Sequence, residues 1–216
     1  MNWEKIHKDI RLRMNISLYG ALAWNTAYAL LNLGMGLCNR SFWFCSLAAY
    51  YVFLAVMRFF LVRYTSKNKP GVHMYDELRK YRSCGIVMLT MNLTLALIIF
   101  FMVYWNRTFK YHEIITITLA TYTFTSFTLA IANITKYRKY NSPVYSAAKA
   151  ISLASACVSM LTLETTMLTT FGESTMSLTV RRIFLGISGG VIAVVIILMA
   201  IYMIVNGTKK IRMYKL

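Results

Sequence analysis

The sequence predicts an all-α membrane protein: a single domain over residues 1–216, built as a bundle of six transmembrane helices with both termini cytoplasmic. Three observations predict it. Of the 216 residues, 58% are hydrophobic and only 14% are charged, whereas a soluble domain carries about 25% charged residues. The charges stand between long apolar runs rather than along helical faces. Each run is long enough to cross a hydrocarbon core of ~30 Å, for which about 20 residues suffice.

The runs cover 16–38, 41–62, 84–105, 113–135, 146–171 and 183–206. They are continuous rather than alternating in segments of about ten residues, so they do not describe a membrane β-barrel. Orientation follows from the bases. Arg40, Arg107, Lys110, Arg181 and Arg182 fall on one side, and the rest of the 24 Lys and Arg fall on the other. That richer side holds the N-terminal segment, the connection from Arg63 to Arg82, the connection around Arg138 and the C-terminal segment. An excess of Lys and Arg marks the cytoplasmic face, and an even number of spans agrees with both termini lying there. The N-terminal stretch has charges but no short apolar core with a cleavage site, so it is not expected to be a removable signal peptide.

Two shorter segments are expected as surface helices. In 3–14, Trp3, Ile6, Ile10 and Met14 share one face, as in a helix lying in the interface plane. In 72–82, Pro70-Gly71 supplies the turn that starts the segment, and Asp76 stands i,i+4 from Lys80. Trp43, Trp105, Tyr104 and Tyr111 occupy the expected outer boundaries, where aromatic belts sit.

The formal net charge of +17 would attract phosphate, including that of nucleic acid. Its distribution over one set of connections is instead that of a cytoplasmic membrane face. The expected partners are the bilayer and its anionic headgroups, not nucleic acid. A membrane partner or a homo-oligomer is compatible with the same surface. Cys38, Cys45, Cys84 and Cys157 show no metal-ligand spacing, and His7, His73 and His112 are scattered outside the spans. No HExxH, GxSxG or phosphate-cradling Gly-Lys-Ser/Thr motif is present. No cofactor, metal or catalytic residue is therefore expected.

Chemistry within the spans centres on Glu164, the acid of the fifth run. A carboxylate inside the membrane is costly and usually faces protein or water. It lies about 10 Å from the outer end at 1.5 Å per residue. One reading makes it a site for a proton, a cation or a substrate amine. The other makes it structural, paired with Arg181 or Arg182 at the start of the sixth run or bonded to a neighbour. Ser152, Ser155, Ser159, Thr162, Thr166 and Thr169 form a hydroxyl seam on another face of the same helix, and Thr118, Thr121, Thr125 and Thr128 form one on the fourth. Asn25 and Asn92 stand near mid-depth in the first and third runs. They are expected either to bond across helices or to line a pathway with Glu164. Arg58 and Lys149 lie close enough to the inner surface to snorkel, where they would contact lipid or an anion. Gly186, Gly189 and Gly190 lie together on the sixth run, and with the Gly186-xxx-Gly190 spacing they are expected to make a close helix contact.

The stretch Asn141-Ser-Pro-Val-Tyr-Ser-Ala-Ala-Lys149 leading into Val158-Ser-Met-Leu-Thr-Leu-Glu-Thr resembles bacterial six-helix inner-membrane proteins that carry no assigned activity. So do Arg40-Ser-Phe-Trp-Phe, Tyr50-Tyr51 and Arg58. The resemblance implies a topology and a bacterial plasma membrane but no mechanism. A looser similarity, through Ala23 and Ala27, is to the substrate-binding membrane subunits of vitamin importers. Two functions are expected from this sequence. One is a small transporter or solute-binding membrane subunit with Glu164, Asn25 and Asn92 near the pathway. The other is a non-catalytic scaffold or partner subunit that docks another protein through its basic cytoplasmic face.

Overall fold

The structure is a computed structural model. It describes residues 3–38, 40–68, 70–105, 142–171 and 176–214, together with 117, 120, 121, 123, 124, 127, 128 and 131; for 3–15, 102 and 105 it describes the backbone alone.

Among the described residues there are five helices and no strand: α1 (Trp3–Cys38), α2 (Phe42–Lys67), α3 (Met74–Trp105), α4 (Pro143–Thr170) and α5 (Leu178–Met213). Four of them, α2 to α5, are long and apolar enough to cross a membrane. Their outer surface carries large apolar side chains in numbers that water would not tolerate as one patch. On α5 alone Ile183, Phe184, Ile187, Val191, Val194 and Leu198 are all more than half exposed. This is an integral membrane protein. Helix α1 is just as long but less apolar, since Asn25 and Asn32 interrupt its hydrophobic run. The expected span 113–135 falls mostly outside the described residues; those described between 117 and 131 are helical.

Neither expected surface helix is a separate element. Residues 3–14 are the first part of α1, which runs on unbroken because no Gly or Pro occurs before Gly20. Residues 74–82 are likewise the first turns of α3.

Helices α3 and α5 run antiparallel along most of their length, and glycines set their spacing. A Cβ placed on Gly85 would lie 3.0 Å from the Met203 Cβ and 3.1 Å from the Ala200 carbonyl oxygen. One on Gly189 would meet the Ile99 Cγ1 at 2.8 Å, and one on Gly207 the Arg82 Cβ at 3.2 Å. Of the three glycines expected to make a close contact, Gly189 does so and the Gly186–Gly190 pair does not. Gly186 approaches only Val103, at 3.6 Å, and Gly190 faces open space.

Helix α2 is the centre of the bundle. It turns back from α1 so tightly that a Cβ on Gly36 would lie 2.8 Å from the Cys45 Sγ. Its Phe44, Leu47, Tyr50, Leu54, Met57 and Leu61 are almost wholly buried. They share one core with Met88, Met91 and Leu95 of α3, Ile151, Ala154, Val158 and Leu161 of α4, and Ile196 and Ala200 of α5. Trp43, expected in an aromatic belt, is buried in this core at 5% exposure, while Tyr104 stands out at 68%. All four cysteines are free thiols.

Candidate functional site

The hydroxyl seam of α4 faces α2. The Tyr50 hydroxyl donates to the Ala154 carbonyl (3.2 Å), Tyr51 Oη and Ser159 Oγ share a hydrogen bond (3.1 Å), and Arg58 Nη2 donates to Ser152 Oγ (3.2 Å). Most of the remaining hydroxyls are satisfied within their own helix. Thr162, Thr165, Thr166 and Thr169 all donate to carbonyls one turn back. On the fourth expected span Thr121 and Thr128 do the same. A Thr that bonds to its own i−4 carbonyl needs no water, so these hydroxyls do not require a wet cleft. Arg58 is only 5% exposed. It points into the bundle and not to lipid, because Ser152 lies opposite it on the antiparallel α4. Lys149, in contrast, is half-buried.

Glu164 lies on the face of α4 that meets α5. Its Oε1 accepts a hydrogen bond of 2.6 Å from Ser188 Oγ. Neither arginine expected beside it is paired with it. Arg181 Nη1 donates to the Leu168 carbonyl (3.4 Å) and Arg182 Nη2 to the Tyr104 carbonyl (3.5 Å). The reason is depth. Ser188 lies two turns, about 10 Å, further along α5 than Arg181, and it is Ser188 that stands level with Glu164. Arg181 stands at the end of α4, where open carbonyls need donors.

The two mid-depth amides are buried to different degrees. Asn25 is 2% exposed, and among the described residues its Nδ2 has no hydrogen-bond partner, as is true of Asn92 Oδ1. Asn92 is half-buried. No described hydrogen bond joins either one to Glu164.

A second polar region lies where α2 ends and α3 begins. Antiparallel helices here present facing stripes, Phe60, Arg63, Tyr64 and Lys67 from α2 and Asp76, Arg79, Lys80 and Ser83 from α3. With Asn68 they line a pocket of about 540 Å³. Four bases and one acid give its lining an excess of three positive charges. Lys80 Nζ lies 5.2 Å above the centre of the Tyr64 ring, a distance at which a cation is attracted to the ring face. The Tyr64 hydroxyl donates to the His73 carbonyl (3.4 Å).

Beneath this region lies Glu77, which is fully buried. Its Oε1 accepts from the Gly71 backbone N–H and its Oε2 from Ser142 Oγ at 2.6 Å. Gly71 has φ +91°, where a side chain would be strained, and that conformation accompanies the aim of its N–H at the carboxylate. Ser142 is the residue before α4, and its hydroxyl is given to Glu77 rather than to its own helix. Glu77 therefore ties the α2–α3 turn, α3 and the start of α4 together. Sequence reasoning passed over it in favour of Asp76 and Lys80. The available signal was an acid six residues after Pro70-Gly71 within a strongly basic stretch.

Among the described residues no group of His, Cys, Asp and Glu is placed to hold a metal. The chain matches no protein-family model, no curated protein and no solved structure.

Proposed function

We propose that this chain is a non-catalytic membrane scaffold or partner subunit that docks an anionic partner through its basic face. The observation that carries the reading is the Glu164–Ser188 hydrogen bond. It engages the one acid deep in a span in joining α4 to α5, which makes Glu164 a structural residue. The charge that remains for recognition lies at the α2–α3 end. On this reading a sixth span covers 113–135, both termini are cytoplasmic, and the host membrane is a bacterial plasma membrane.

The test is flux in proteoliposomes containing the full chain, with Glu164→Gln and Ser188→Ala alongside. The expected result is no proton or cation flux above that of empty vesicles. Ser188→Ala should lower stability by about 0.6–1.7 kcal/mol, the range measured for hydrogen bonds between membrane helices. A protein-dependent flux that Glu164→Gln abolishes would overturn the scaffold and establish the transporter. That second reading is favoured by the unpartnered Asn25 Nδ2 and Asn92 Oδ1, polar atoms of the kind that line solute sites near the midplane.

A further inference from the structure

The basic pocket between α2 and α3 lies at a particular level of the bundle. Below it, toward the middle of α2, the exposed side chains are apolar: Val52, Val56, Phe59 and Phe60 are each 41–55% exposed. On α3, Ile86 and Leu89 are half and 42% exposed. Beyond Phe60 and Ile86 both helices turn polar, and Arg63, Lys67, Arg79 and Lys80 enter the lining. The pocket therefore straddles the line at which an apolar outer surface gives way to charge. In a membrane protein that line is the headgroup level of one leaflet.

From this geometry we infer that the pocket is a binding site for the phosphate headgroup of an anionic phospholipid. The inference rests on the reading of the basic face as a docking surface and gives one of its ligands. The phosphate oxyanions meet Arg63, Lys67, Arg79 and Lys80. Arginine presents a planar fork suited to phosphate and lysine a compact point charge. Asn68 and Ser83 add neutral polar groups at the rim. Phe60, lining the pocket and 55% exposed, offers an apolar wall along which acyl chains continue into the bilayer. That wall is what favours a lipid over free phosphate, because a soluble anion gains nothing from it. Tyr64 is 5% exposed and forms a firm floor that holds Lys80 in place. Basic pockets between helices at a membrane face are suited to anionic headgroups, each Lys or Arg adding attraction that falls off within a Debye length.

The test is native mass spectrometry of the full chain released from nanodiscs of mixed phosphatidylglycerol and phosphatidylcholine. Lys67→Gln with Arg79→Gln removes two bases from the pocket. Lys209→Gln with Lys210→Gln removes two from α5 outside it. The pocket pair should lower retained phosphatidylglycerol about tenfold, and the α5 pair less than twofold. The charge-preserving Lys67→Arg with Arg79→Lys should retain binding, which separates loss of charge from loss of fold. Equal losses from both neutralised pairs would overturn the inference in favour of a diffuse electrostatic face. Displacement of the lipid by inorganic phosphate at the same concentration would overturn the lipid as its source. Neither result depends on flux, so failure here is distinguishable from failure of the scaffold reading.

Discussion

Removing the Glu77 carboxylate should destabilise the protein more than any other single truncation of a polar side chain described above. Both its oxygens accept hydrogen bonds, from the Gly71 N–H and the Ser142 hydroxyl, and the side chain is fully buried. A hydrogen bond to a charged group contributes about 1.5–3 kcal/mol. Glu77→Ala loses two and leaves both donors facing a small cavity, so the expected cost is about 3–5 kcal/mol. For a chain of this size about 2–4 °C of melting temperature corresponds to each kcal/mol, which predicts a drop of about 10 °C. Glu77→Gln keeps one accepting oxygen and should lose about half as much. The assay is thermal unfolding of the purified protein in nanodiscs, run as a double-mutant cycle with Ser142→Ala. A coupling energy near 1.5–3 kcal/mol between Glu77→Ala and Ser142→Ala is expected. A coupling indistinguishable from zero, or a Glu77→Ala protein as stable as the parent, would refute the argument.

Four further outcomes follow from the same geometry and can be measured by the same unfolding assay. Gly71→Ala should cost about 1–2 kcal/mol, because φ +91° places a Cβ against its own backbone. Gly85→Ala should cost about 1–3 kcal/mol through overpacking, since the Ala200 carbonyl cannot rotate aside. Gly190→Ala should be neutral or stabilise by up to about 1 kcal/mol, as it meets nothing and Ala favours helix. Reversal of the order of these two glycines would show that α3 and α5 are not packed as described. Tyr51→Phe, which removes the bond to Ser159, should cost about 0.6 kcal/mol.

The apolar runs made the membrane helices legible in the sequence. Continuous hydrophobicity marks a span whatever the span packs against, so α2 to α5 could be placed from composition alone. Which residues touch is a different kind of information. Arg181 and Ser188 are two turns apart and lie on nearly one face of α5, so either was available to Glu164. Charge made the arginine the more conspicuous choice, and only the relative depth of α4 and α5 decided for the serine. Gly186, Gly189 and Gly190 all stood out on α5, but spacing along one helix says nothing about which of them its neighbour approaches. Trp43 was misplaced for a similar reason: an aromatic near the end of a span can face the belt or the core. Glu77 was hidden by its surroundings, since an acid among many bases looks like ordinary surface charge until Gly71 and Ser142 are seen to converge on it.

The α3–α5 seam has a consequence for how the chain is built. Gly85 meets its partner helix only after α4 has been made and inserted. A chain stopped before Leu178 lacks the Ala200, Met203 and Ile204 that lie against Gly85. Completion of α5 fills the notch at Gly85, so among the described helices the α3–α5 seam can form only after all the others have been made.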